Sequence, residues 1–534
     1  MHVKYLRSLS SKDLLVIDNF NVAPTDDTYF DTIMKFKCKI LFTSTYNYEE
    51  ACTLKLEEIK EKETLLKLIE TYYKKANRFK DTILEIIDEL NGHTFSIVLA
   101  SKLMKVKRMD PPELLELLRS KSQLFDTLEE FNIEKDGKNQ KSTYAQHILH
   151  LFSLFQLSEN ELEIMKNMCL MPLNGIDCNL FAEWCGYTEN MTGIDNLITM
   201  GLINENDDGV LFLHPLTKAT FLHKAPPQLI NCSKLLWSIY RICIERYDIT
   251  PNYQLIFNIT DNILSDIEKP PASDENFYRY FLLNTYYTED FYIHFLMDVY
   301  RNMDVYKHHS GQKMIIHELS RLLKGTYKNN IHCKTIYYLY AADYEPDLNK
   351  RVHVYEYALD CCALLPPTIE NRLLESNIYA SCASALLMQN DLHGAQSYLY
   401  RAIELRATTE YKLNPDGVKQ LQHYYFISAL LGNENESIEA LKEYEVAMKE
   451  SNLSSYASIH ETIGLIYICK SNEEVGKKYL AEAFNFYRQI YENSQAFISE
   501  KRQEIKAIYH KFHEYMPNPA AEVYDLNTLK PIDE

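Results

Sequence analysis

Apolar and polar positions alternate with different periods along the chain, and four zones separate on that basis. In residues 1–60 the apolar residues come in short unbroken runs. Leu14-Leu15-Val16-Ile17 ends in Asp18-Asn19, and Lys39-Ile40-Leu41-Phe42 ends in Thr43-Ser44. Runs of this length predict strands buried on both faces, as in a parallel sheet. Both end in small polar residues, where open α/β sheets place their ligands. From residue 60 to 140 the period becomes helical: Leu65, Leu66, Leu68 and Ile69 are followed by Ile83, Ile86, Ile87 and Leu90. Asn91-Gly92 breaks that pattern, and Thr94 to Met104 resumes it.

Residues 142–223 carry a third pattern. Ser158-Glu159-Asn160-Glu161 is a capping box that opens a helix. Short helices are expected near 178–185 and 191–200, and then two strands, Leu202-Ile203 and Val210 to Leu213, around an acidic turn. Helices followed by a small hairpin are the element order of a winged helix. Beyond Pro226-Pro227 the chain reads as helix after helix, and it repeats. The tetratricopeptide pattern places small residues where two helices cross. It recurs at Tyr379-x2-Cys382-Ala383 with Ala395 and Ala402, and at Tyr424-x2-Ile427-Ser428 with Ala440 and Ala447. A further copy is His460-x2-Ile463-Gly464 with Gly476 and Ala483, and Tyr337-x2-Tyr340-Ala341 matches a first helix only. In this register Glu461 is expected on an outer face.

Composition narrows the function classes. The 534 residues carry 56 Lys+Arg against 75 Asp+Glu, a net charge of −19. Residues 142–223 hold two lysines against ten acids, and Met191 to Met200, the segment in the recognition-helix place, has no Lys or Arg and carries Asp195. A reading helix faces dense phosphate charge, so nucleic acid is not an expected partner. The twelve cysteines include no C-x-x-C and suit reduced thiols in a cytoplasmic protein. No apolar run has the length of about 20 residues that a membrane span needs.

No H-E-x-x-H or G-x-S-x-G occurs, and His308-His309 offers too few ligands for a closed zinc site. Four short pieces stand in fixed order: Leu14 to Asn19, Ile40 to Ser44, Asn91 to Ile97, and Phe212-Leu213-His214-Pro215-Leu216. Together, ahead of helical repeats, they resemble the STAND class of nucleotide-switch ATPases, in its NB-ARC-like branch. The resemblance implies a Walker B strand ending in Asp18, which would hold Mg²⁺. It gives Asn19, Thr43, Ser44, Gly92 and His93 to the nucleotide site, and His214 to the winged-helix histidine that reads the ADP β-phosphate. Asn19 stands where the family often has a second acid, Thr45 where it has Arg, and Pro215 where it has Asp. The first glycine is Gly92, so no G-x-x-x-x-G-K-[ST] loop precedes the Walker B strand.

The expected fold is mainly α. It comprises a partial α/β P-loop-type remnant (1–60), a helical subdomain (61–141), a winged helix (142–223) and an α-solenoid of tetratricopeptide-like helix pairs (225–534). The expected function is the switch-and-sensor portion of a STAND-type signalling ATPase, lacking the P-loop half and therefore not itself an enzyme. Its repeats would bind a protein or peptide trigger. ADP or ATP with Mg²⁺ serves an intact family member, and no cofactor is expected for this chain. The alternatives are a non-catalytic tetratricopeptide adaptor with a vestigial nucleotide-binding region and, third, a transcription regulator.

Overall fold

The computed structural model describes residues 9–17, 33–44, 59–122, 132–135, 138–141, 153–189, 191–245, 252–267, 291–306, 308–325, 327–407, 409–449, 452–470 and 472–490, with a few single positions besides. It is mainly helical and divides into two compact units, residues 4–315 and 316–534.

The first unit opens with β1 (Leu14–Ile17) and β2 (Lys39–Phe42), paired in parallel with Leu14 opposite Lys39 and Ile17 opposite Phe42. The expected strands form, but not the expected burial. The register puts Leu14, Val16, Lys39 and Leu41 on one face, and Leu14, Val16 and Leu41 are 58%, 57% and 54% exposed. Leu15, Ile17, Ile40 and Phe42, on the other face, are half-buried. Among the described residues the sheet has two strands, and its alternation is that of a sheet covered on one side.

Four helices follow: α1 (Lys62–Tyr72), α2 (Lys80–Glu89), α3 (Thr94–Lys107) and α4 (Pro111–Ser122). The apolar stripes do what their spacing predicts. Leu65, Leu66 and Ile69 bury against α3, while Ile83, Ile86 and Ile87 lie on α2, which packs on α4. A short antiparallel ladder, β3 (Asn132–Lys135) with β4 (Lys138–Lys141), lies in the span read as helical.

In the third pattern the expected helices form, and the strands are shifted. Helix α5 (Glu159–Met168) starts at the capping box: the Glu161 N–H donates to Ser158 Oγ at 3.3 Å, and the Ser158 N–H donates to Glu161 Oε2 at 2.9 Å. Then come β5 (Ile176–Asp177), α6 (Cys178–Cys185), α7 (Thr192–Met200), β6 (Asn204–Glu205) and β7 (Val210–Phe212). The strands form one antiparallel sheet in the order β5-β7-β6, with the element order of a winged helix. Leu202 and Ile203 are fully buried but precede β6 rather than form it. Helices α8 (Pro215–Lys224), α9 (Ser233–Glu245), α10 (Tyr253–Asp266) and α11 (Phe291–Val305) follow. Trp237 and Tyr240 of α9 close on Phe291 of α11, with ring centroids 6.1 and 5.3 Å away.

After α12 (His309–Leu323), the second unit is a run of helices: α13 (Ile331–Asp343), α14 (Leu348–Cys362), α15 (Ile369–Met388), α16 (Leu392–Ala407), α17 (Pro415–Leu430), α18 (Glu434–Met448), α19 (Leu453–Cys469) and α20 (Glu473–Ile490). Each packs on the next from α13 to α20, and α17 also packs on α19. Neighbours in sequence and first helices of adjacent pairs touching together make a solenoid. Two copies of the small-residue pattern hold: Ala383, Ala395 and Ala402 are buried, as are Gly464, Gly476 and Ala483.

The copy at 424 needs correction in its second helix. Helix α18 starts six residues after Ser428, whereas α16 starts nine after Ala383. The shift brings Ser437, Ile438, Leu441 and Met448 inward and leaves Ala447 exposed. Glu461 is also corrected: it is buried and accepts a hydrogen bond from Tyr487 Oη at 2.7 Å, because α20 crosses over that face of α19. A buried guanidinium ties three of the helices. Arg406 Nε donates to Ser376 Oγ at 2.9 Å, its Nη1 to Asn414 Oδ1 at 2.9 Å and its Nη2 to Asn377 Oδ1.

Candidate functional site

Three of the seven residues picked out by the resemblance lie at two helix starts that meet. At the end of α2, Asn91 and Gly92 both take left-handed backbone, with φ of 51° and 68°. The Gly92 N–H donates to Ile87 O at 2.9 Å, which closes the helix and turns the chain back. A Cβ on Gly92 would meet only ordinary contacts, Leu65 Cδ1 at 3.6 Å and Ile59 O at 3.8 Å, so the glycine answers to its φ and not to space.

The reversal delivers His93 to the N-cap of α3. Its Nδ1 accepts from the Ser96 N–H at 3.3 Å and lies 2.9 Å from Ser96 Oγ. His214, just past β7, does the same for α8: its Nδ1 accepts from the Leu216 N–H at 3.2 Å, and Pro215 takes the first helical position. A histidine that spends its Nδ1 lone pair on a backbone N–H carries its neutral-state proton on Nε2. Both rings are therefore Nε2–H donors when neutral.

The two caps are close enough for their charges to interact. Burial, and then the charge of His93, push the His214 imidazole down to about 4, so it is neutral at physiological pH. Phe95, in the first turn of α3, lies flat on it, with ring centroids 4.0 Å apart and planes 12° apart. The place combines two imidazole N–H donors with the amide ends of two helices. That suits an anionic group such as a phosphate. With both Nδ1 lone pairs committed to caps, it does not suit a metal. No group of three or more His, Cys, Asp or Glu that could hold a metal ion occurs among the described residues.

The other four residues are elsewhere or outside view. Thr43 and Ser44 end β2, where the Thr43 N–H extends the ladder by donating to Ile17 O at 3.0 Å. Asp18, to which the resemblance gives Mg²⁺, and Asn19 lie outside the described residues. Phe95 lies within the segment Asn91 to Ile97, and the resemblance gives it no role. An aromatic two residues after a capping histidine is the signal for it, but its partner is 119 positions away. Lys102, on α3, belongs to no motif of the sequence. Its chain lies along Gly201, where a Cβ would come within 2.5 Å of Lys102 Cδ, and its ammonium stands 5.4 Å from the Tyr72 ring centroid. Burial, helped by Lys105, lowers the Lys102 pKa. The cysteines are free thiols, nine of them buried, and burial pushes Cys169 and Cys232 up to about 12, which leaves them protonated and inert.

No family model matches the chain, and no curated protein matches it. Among solved structures it is similar to a signal-transduction ATPase with numerous domains (STAND) that carries a tetratricopeptide-repeat sensor, from Pyrococcus horikoshii. The TM-score is 0.57 at 13% identity, over 96% of this chain and 68% of that one. The likeness is one of fold alone.

Proposed function

We propose that this chain is the switch-and-sensor portion of a STAND-type signalling protein, with helical repeats that bind a protein or peptide trigger and no ATP hydrolysis of its own. The observation that carries the reading is the stack of Phe95, in the turn that His93 caps, on His214, which brings the two capping histidines to one place. They belong to different modules, 121 positions apart, and both present Nε2–H donors at helix starts. A site shared by two modules can report whether they are together, which a passive adaptor does not need. A nucleotide phosphate, when bound, would supply negative charge at those donors. His93 and His214 would orient it, while Gly92 keeps the chain reversal that sets the first cap. Phosphoryl transfer depends on the positioning groups of a P-loop, and this sequence contains no G-x-x-x-x-G-K-[ST].

The test has two arms on the full chain. Phosphate release from Mg·ATP is expected at the buffer rate, and turnover that vanishes in Asp18→Ala would refute the non-hydrolysing part. ADP is expected to raise the melting temperature of the wild type, and His214→Ala to abolish the rise. An unchanged wild-type melting temperature at millimolar ADP would remove the nucleotide switch and leave the tetratricopeptide adaptor.

A further inference from the structure

Within residues 4–315 the helical subdomain meets the winged-helix unit along α3. Helix α7 packs on α3, Lys102 lies along Gly201, and Phe95 stacks on His214. Gly201 ends α7 in left-handed backbone, φ 76°, and lacks the side chain that would displace Lys102. Of the three contacts, the stack alone joins the two capping systems. Phe95 is the second residue of α3, and His214 is the cap that holds the first turn of α8. At a 4.0 Å centroid distance and 12° between planes, no third group fits between the rings.

We propose that the Phe95–His214 stack is a built-in latch, which holds the helical subdomain on the winged-helix unit with the protein's own ring and must unstack before the two modules separate. The His214 ring is committed on three counts. One face carries Phe95, its Nδ1 holds the Leu216 N–H, and its neutral form keeps the proton on Nε2. Parting the rings removes the support of Phe95 from the ring that caps α8 at the same moment as it loosens the first turn of α3. Aromatic pairs of this kind shift an equilibrium by about two- to tenfold beyond the area they bury. That is strong enough to favour the closed arrangement and weak enough to be overcome by a ligand or partner. The latch rests on the switch reading only for what opens it; the contact itself needs no nucleotide.

The experiment is hydrogen exchange on the full chain without nucleotide, comparing wild type, Phe95→Ala and Phe95→Trp. Phe95→Ala is expected to speed exchange at the first turns of both α3 and α8 by about two- to tenfold. It should leave α5, α6 and α19 unchanged, and Phe95→Trp should behave as wild type. Faster exchange confined to α3, or spread equally into α5 and α6, would overturn the latch, because the first is local fraying and the second general loosening. Histidine NMR gives a second readout, taken on Phe95→Ala protein whose α5 and α6 exchange matches wild type, so that loss of burial by general unfolding is excluded. In Phe95→Ala the His214 ring should titrate nearer its ordinary 6.5 than the wild-type value of about 4, and an unmoved titration would count against the latch. Adding ADP separates the two ideas. If ADP changes exchange in no variant while Phe95→Ala still frees both turns, the nucleotide leaves the switch reading and the latch stands.

Discussion

The two ends of this chain solve the burial problem with opposite success. The β1–β2 sheet has eight residues, no one of them fully buried, and three large apolar side chains more than half in water. Helix α19 has seventeen residues and buries most of them, polar Ser455, His460 and Glu461 among them. The difference is one of layers. A parallel pair of strands needs cover on both faces and carries its apolar residues on both. A repeat helix needs neighbours on a few sides, and each repeat brings the next neighbour with it. Apolar content alone does not decide burial: Leu14 and Ile463 are comparably apolar, and only Ile463 has helices packed around it.

Three measurements can break or sharpen this comparison. The largest effect is expected in hydrogen exchange. Amides of β1 and β2 should exchange orders of magnitude faster than those of Ile463 to Tyr467, since local opening free energies run from near zero up to the global value. Limited proteolysis should trim the first 60 residues and leave a core starting near residue 60 or later. Equal protection in β1 and α19 would mean the sheet is completed in solution by something else.

Next in size is a pair of substitutions. Gly464→Leu should destabilise the repeat unit by about 1–3 kcal/mol, the usual range for overpacking, because a Cβ added there would meet Gly476 O and Leu480 Cγ at 3.0 Å. Leu14→Ser should change stability by less than about 0.5 kcal/mol, as at a surface site. Similar melting shifts for the two would erase the contrast between the regions.

At neutral pH the smallest effect belongs to the half-buried His214, and it grows only as the solution is acidified. Its folded-state pKa of about 4 lies below the ordinary 6.5 of an unfolded chain. Between those values the unfolded form binds a proton that the folded form refuses, so stability falls as pH drops from about 6.5 to 4 and levels off below. His214→Asn keeps a capping side chain and should lose that part of the pH dependence. Parallel pH curves for the two would show that His214 is not held neutral.

What was legible in the sequence was what local pattern controls. Strand runs, the Ser158 capping box, the Asn91-Gly92 reversal and the repeats at 379 and 460 all follow from residues within a turn or two of each other. The register of α18 was not legible. Its start moved by three residues, and a fixed offset from Ser428 then selects Ala440 and the exposed Ala447 in place of the buried Ser437 and half-buried Tyr444. Glu461 looked like a surface residue because its partner, Tyr487, belongs to the next helix. The site was half legible. His93 and His214 could be picked out one at a time, but their meeting, and Phe95 between the two caps, depends on tertiary contact across 119 positions that no spacing rule encodes.

Gly464 and Gly476 each stand where the other's backbone passes. A Cβ on Gly464 would come within 3.0 Å of Gly476 O, and a Cβ on Gly476 within 2.8 Å of Gly464 O. The two positions share one gap, so the energetic effects of changing them are coupled and do not add. Once either helix has been forced back by a first side chain, the second side chain enters space already opened. Single steps away from glycine are penalised at both positions while the paired step is penalised less than their sum, so the two glycines are held in place by each other.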